Sequence, residues 1–141
     1  MKSAWSTFFP ADRFALQLGE WEGSQITYHP KRGDGFIFGG PYRFLPGAEM
    51  RARFIFSGHF GLGSSQIGKA LGTGHIILEV TDALGIMHAR AEIPTSEIES
   101  APELHFRIDG YHRQRCEFRA YARGVNFSLI FKGVRLTGTP A

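Results

Sequence analysis

The stretch from Gly35 to Ser57, GFIFGGPYRFLPGAEMRARFIFS, constrains the fold more than any other part of the chain. It holds a short apolar run (Phe36, Ile37, Phe38), a Gly39-Gly40-Pro41 break, an aromatic pair (Tyr42, Phe44) and a Pro46-Gly47 turn. An alternating run follows, with Met50, Ala52, Phe54 and Phe56 on one face and Arg51, Arg53 and Ile55 on the other. Successive side chains of an extended chain point to opposite faces, so this alternation predicts a half-buried strand. The Pro-Gly pair ahead of it predicts a turn between strands.

The same pattern recurs along the chain. Strands are predicted at Ser24–His29, Phe36–Phe38, Glu49–Ser57, His75–Thr81, Ile86–Ile93, Glu103–Asp109 and Arg115–Arg123. Met87, Ala89, Ala91 and Ile93 read as one face of the Ile86–Ile93 strand. A last strand lies within Asn126–Thr137, with a bulge at Gly133, where the alternation changes phase. Asp82-Ala83-Leu84-Gly85 predicts a hairpin turn, since glycine accepts a positive φ. Residues 1–19 are expected to form an N-terminal arm or edge strand, and residues 138–141 a frayed tail. The six glycines of Gly58–Gly74 exclude a helix there. The Pro94–Pro102 loop has room for one helical turn at Thr95–Ile98.

Thirteen Phe, 18 Gly and seven Pro in 141 residues favour short strands and frequent turns over helices. The expectation is one all-β domain over 1–141, an antiparallel β-sandwich of jelly-roll type.

A net charge of +3 is too small to point to nucleic acid. Cys116 is the single cysteine, so no intrachain disulfide holds the fold. It alternates with Phe118 and Ala120 and reads as a small core residue. The N-terminal segment lacks the apolar run and cleavage site of a secretory signal. No apolar stretch is long enough for a membrane-crossing helix. These features place the chain in the cytoplasm, or make it a fragment of a larger protein, with no membrane insertion and no nucleic-acid partner.

The candidate site is the outward face of the C-terminal strands. His105, Arg107 and Asp109 alternate on one strand, and Arg115, Glu117, Arg119 and Tyr121 on the next. Tyr111, His112 and Arg113 occupy the turn between them. Pairing of the two strands as a hairpin would make a polar shelf with an aromatic edge. Planar side chains stack on sugar C–H faces, and Arg or Glu form paired hydrogen bonds with hydroxyls; Arg adds charge-assisted bonds to acidic sugars. The bland alternative is cross-strand charge pairing on a solvated face. Trp21 and His29, with the 28–34 loop, form a second candidate rim. The six histidines show no metal-ligand spacing, and no cofactor motif is present.

Two short motifs suggest other readings. Arg115-x-Glu117-x-Arg119 is similar to the Arg-x-Glu-x-Arg strand of jelly-roll polysaccharide lyases, which implies Arg neutralising a uronate and Tyr121 or His112 moving a proton. Gly19-Glu20-Trp21 resembles the Gly-x-Trp opening of lipocalin-like barrels. A wider resemblance rests on Phe38-Gly39-Gly40-Pro41-Tyr42-Arg43-Phe44-Leu45-Pro46-Gly47 and on the closing segments Glu117–Tyr121 and Phe127–Leu136. By these the chain resembles carbohydrate-binding-module and galactose-binding-like jelly-roll domains. That resemblance implies a non-catalytic, lectin-like domain that binds a carbohydrate or other small polar ligand, as an accessory to a glycan-processing protein. A structural or homo-oligomerising domain, whose surplus aromatics cover a subunit interface, is the remaining alternative.

Overall fold

The computed structural model describes residues 4–45, 48–59, 73–108 and 115–140. The strands are β1 (Trp5–Pro10), β2 (Ala15–Leu16), β3 (Glu20–Glu22), β4 (Gln25–Tyr28), β5 (Gly35–Gly39), β6 (Pro41–Phe44), β7 (Ala48–His59), β8 (His75–Asp82), β9 (Met87–Pro94), β10 (Glu103–Ile108), β11 (Arg115–Arg123) and β12 (Ser128–Pro140). Short 3-10 turns cover Ala11–Arg13, Pro30–Arg32 and Thr95–Ser100. No helix among the described residues is long and apolar enough to cross a membrane.

The strands form two antiparallel six-stranded sheets. Sheet A runs β10-β7-β12-β4-β3, with β1 also paired to β12; sheet B runs β2-β5-β11-β8-β9, with β6 also paired to β11. The inward rows of the two sheets meet in one apolar core. Phe38 of sheet B stacks flat on Phe131 of sheet A, with centroids 3.8 Å apart, and Phe14 meets both rings edge-on. Alternation in β7, β10 and β11 follows the expected pattern: Met50, Ala52, Phe54, Phe56, Leu104, Phe106, Ile108, Cys116, Phe118, Ala120 and Ala122 are all buried.

Bulges let one long strand serve two short neighbours. In β12, Phe131 opposes Phe56 and Gly133 opposes Ile55, so Lys132 is the extra residue. The bulge increases local twist. On one side of it β12 pairs with β4, and on the other with β1. Gly133 has φ +147, and a Cβ there would lie 2.5 Å from the Phe8 ring and from the Phe9 carbonyl oxygen. The phase change read near Gly133 is this bulge. In sheet B, β11 pairs first with β6 and then with β5. Arg43 opposes Cys116 and Pro41 opposes Glu117, leaving Tyr42 as the bulged residue, at φ +60.

Several expectations change. β12 runs to Pro140, paired with β7 up to Ala48, so residues 138–140 belong to a strand rather than a frayed tail. Trp5–Pro10 is the edge strand expected within residues 1–19, paired with β12, whereas the sequence pattern does not mark β3. In β9 a bulge at His88 puts Met87 opposite Thr81 on the outer face, away from Ala89. The largest correction concerns β10 and β11. They do not form a hairpin: β10 pairs with β7 in sheet A, and β11 pairs with β5, β6 and β8 in sheet B. The two consecutive strands therefore lie in different sheets, a crossing of the chain from sheet A to sheet B.

Candidate functional site

That crossing divides the residues expected to act together. Arg107 projects from the outer face of sheet A, opposite Glu49 of β7, and its Nη1 lies 3.4 Å from the Glu49 carboxylate. Arg115, Glu117 and Arg119 project from the outer face of sheet B. Tyr111 and His112 lie outside the described residues.

On sheet B the central arginine is enclosed by its own neighbours. Arg119 Nε donates to Glu79 Oε1 at 2.6 Å, Nη1 lies 3.8 Å from Glu117, and the guanidinium lies 4.7 Å from the centre of the Phe36 ring. Arg90 approaches the other oxygen of Glu79 at 3.6 Å. These groups lie on one rung of the sheet, Arg119 opposite Glu79 opposite Arg90. Glu117 packs over Gly39 and accepts a hydrogen bond from Tyr42, a bond that, with burial, raises the Tyr42 pKa. A depression of about 190 Å³ beside this ladder is lined by Phe36, Ile77, Glu79, Arg90, Tyr121 and Arg123. Arg115 stacks on Phe44 at 5.2 Å.

The second expected rim is tied down as well. His29 Nδ1 lies 3.2 Å from Ser128 Oγ, and its Nε2 lies 3.7 Å from Glu20, which also holds Arg32. The Tyr28 hydroxyl donates to the Gly33 carbonyl at 2.7 Å, and Asp34 accepts the Gly124 N–H. Trp21, on the edge strand β3, is exposed.

The outer face of sheet A carries a different arrangement. Glu103, Arg53, Arg135 and Phe8 stand on one rung across four strands; His105, Arg51, Thr137 and Ser6 stand on the next. Arg53 and Arg135 are therefore directly opposed like charges, a pairing that costs stability. Arg53 Nη2 donates to Glu103 at 2.9 Å, and Arg135 is offset by stacking on Phe8 at 4.9 Å. The Arg53 hydrogen bond, with Arg51 and His105 nearby, holds the Glu103 carboxyl below its ordinary range against the opposing effect of burial. Two depressions meet here. One of about 310 Å³ includes Glu49, Arg51, His105, Thr137 and Thr139 in its lining; the other, of about 240 Å³, is lined by Arg51, Arg53, Glu103, Arg135 and Thr137. Arg51 and Thr137 belong to both. The sequence signal for this face is Arg51-x-Arg53, two outward basic residues on one strand with no carboxylate between them, a pattern that ordinary strand alternation also produces.

Two other groups merit chemical comment. Asp82 is fully buried: its Oδ1 accepts the N–H groups of Leu84 and Ile86, and its Oδ2 lies 2.8 Å from His88 Nε2. Burial pushes this carboxyl up, but the His88 and backbone hydrogen bonds outweigh it and leave the pKa lowered. Burial, with the charge of Asp82, pushes the Cys116 thiol up to about 11, which disfavours a thiolate nucleophile. No group of three His, Cys, Asp or Glu among the described residues is placed to hold a metal ion. Comparison with family models, with curated proteins and with solved structures finds no match to this chain.

Proposed function

We propose that this chain is a non-catalytic carbohydrate-binding domain of jelly-roll type, and that its ligand is an acidic glycan lying across the outer face of sheet A. The observation that carries this reading is the direct opposition of Arg53 and Arg135, with Arg51 on the next rung and Glu103 as the carboxylate among them. Opposed cations on a sheet are unfavourable unless an anion bridges them. Guanidinium groups pair with carboxylate or sulfate through two parallel hydrogen bonds. Thr137, Thr139 and His105 add donors and acceptors suited to sugar hydroxyls. The two depressions share Arg51 and Thr137, so a ligand longer than one sugar can engage both. The repeated crossing of consecutive strands between sheets, as at β4–β5, β7–β8, β9–β10 and β10–β11, supports the jelly-roll type.

A lyase on the Arg115-x-Glu117-x-Arg119 strand is disfavoured by the pairing of Arg119 with Glu79 and Glu117. The test is calorimetric titration with uronate-bearing, sulfated and neutral oligosaccharides. Binding of the acidic sugars that is lost in Arg51→Ala and retained in Arg119→Lys supports the reading. Absence of binding, or equal binding of neutral sugars, sinks it.

A further inference from the structure

Of the large hydrophobic side chains that are exposed among the described residues, all but Trp21 gather at one end of sheet B: Tyr42, Phe44, Leu84, Ile86 and Met87. Their contiguity follows from the start of β11. Phe44 is opposite Arg115 in the β6–β11 ladder, and the Ala83 N–H donates to the Arg115 carbonyl at 3.0 Å. Met87 shares a rung with Thr81 and Glu117. Tyr42 bulges beside Cys116 and Glu117.

The turn that presents Leu84 and Ile86 is built rather than loose. Asp82 Oδ1 accepts both of their N–H groups, and the Gly85 N–H donates to the Asp82 carbonyl at 2.9 Å. Leu84, 68% exposed, and Ile86, 52% exposed, therefore protrude from a fixed tip.

Charge sets the kind of partner. Arg43 and Arg115 flank the apolar residues and are exposed. The nearby carboxylates are already engaged, Asp82 buried against His88 and Glu117 between Arg119 and Tyr42. A second copy of the same surface would set arginine against arginine.

We infer that this end of sheet B docks on the surface of an anionic lipid bilayer. Leu84 and Ile86 enter the headgroup–acyl boundary, Phe44, Tyr42 and Met87 lie at its level, and Arg43 and Arg115 meet the lipid phosphates and carboxylates. The surface lies on the sheet opposite the proposed glycan face, and the inference does not depend on that reading.

The test is co-sedimentation of the full chain with phosphatidylcholine vesicles, with and without phosphatidylserine, at low salt. Binding is expected only with phosphatidylserine. Leu84→Ser/Ile86→Ser is expected to weaken it about tenfold or more, since two aliphatic side chains no longer leave water. Arg115→Gln is expected to weaken it about fivefold. All the altered side chains are exposed, so thermal melts should match the parent. Arg51→Ala/Arg135→Ala should leave vesicle binding unchanged. The inference is overturned if phosphatidylserine vesicles are not bound. It is equally overturned if binding disappears with Arg51→Ala/Arg135→Ala but survives Leu84→Ser/Ile86→Ser, because the basic face of sheet A would then be responsible. Gel filtration showing a dimer that Leu84→Ser/Ile86→Ser dissolves would assign the surface to self-association and overturn it too.

Discussion

Arg119 and Glu79 face each other across the β11–β8 ladder at 2.6 Å, and Glu79 is almost wholly buried. A carboxylate taken from water needs such a partner, and removing the partner leaves the charge uncompensated. Arg119→Ala is therefore expected to lower unfolding free energy by about 2 kcal/mol, a value set below the range for fully buried pairs because Arg119 keeps some solvent contact. Arg119→Ala/Glu79→Gln should recover part of the loss. Urea unfolding of the single and double variants measures this. A full loss in the double variant would mean that the Phe36 stack, and not the ion pair, supplies the stability.

Arg135 should behave in the opposite way. It faces Arg53 directly, so its removal relieves a repulsion while forfeiting the stack on Phe8. Each effect is worth about 0.5–1 kcal/mol, so Arg135→Gln should change stability by less than about 0.5 kcal/mol. Affinity for an acidic glycan should nonetheless fall about tenfold, the weight of one charge-assisted hydrogen bond. Melting and calorimetry on the same variant check both halves. A strongly destabilised Arg135→Gln would make the residue a structural one and remove the argument for an anion between the two guanidinium groups.

The contrast between these two arginines shows what was legible in the chain and what was not. Period two revealed which residues of β7, β10 and β11 point inward, because burial imposes that period directly. It could not reveal which sheet a strand joins, since Leu104–Ile108 and Cys116–Ala122 fit the inner face of either sheet equally well. Arg107 and Arg115, close in sequence and outward on both strands, therefore come to opposite outer faces. Long-range pairing within sheet B also concealed that Arg119 would meet Glu79, forty positions away. The bulge at Lys132 was readable, because it shifts the apolar phase between Phe131 and Val134. The bounds of β1 within the expected N-terminal arm or edge strand were not, because its outward Phe8 is held by Arg135 and hides the alternation. Arg51 and Arg53 were visible as outward residues, but their significance depends on Arg135, which the β7–β12 register brings opposite.

Gly133 gives a test of that register. Its φ of +147 is disfavoured for any side chain, and a Cβ would press on both the Phe8 ring and the Phe9 carbonyl. The Phe8 ring can turn away, but the Phe9 backbone can move only if β1 leaves β12. Gly133→Ala is expected to cost about 2 kcal/mol or more. Amide exchange should show the damage first at Thr7 and Phe9, with β7 and β10 still protected. Uniform loss of protection across sheet A would show instead that β1 does not open as a separate unit.

Acid stability should depend on Asp82. Its folded-state pKa lies below the ordinary value, so its stabilising contribution is present in full above the unfolded carboxylate pKa, near about pH 4, and disappears as pH falls through the lower folded value. Protonation would weaken the bonds to the Leu84 and Ile86 N–H groups that fix the 83–86 turn. Asp82→Asn keeps the side-chain shape but loses the charge. It should cost about 2 kcal/mol at neutral pH and flatten the decline in stability below about pH 4. Glu103, also lowered by its bond to Arg53, is more exposed, and Glu103→Gln should leave most of that decline in place. Urea midpoints measured across this range for the parent and both variants separate the two carboxyls. Parallel curves for the parent and Asp82→Asn would show that the turn carboxylate does not govern the acid limb.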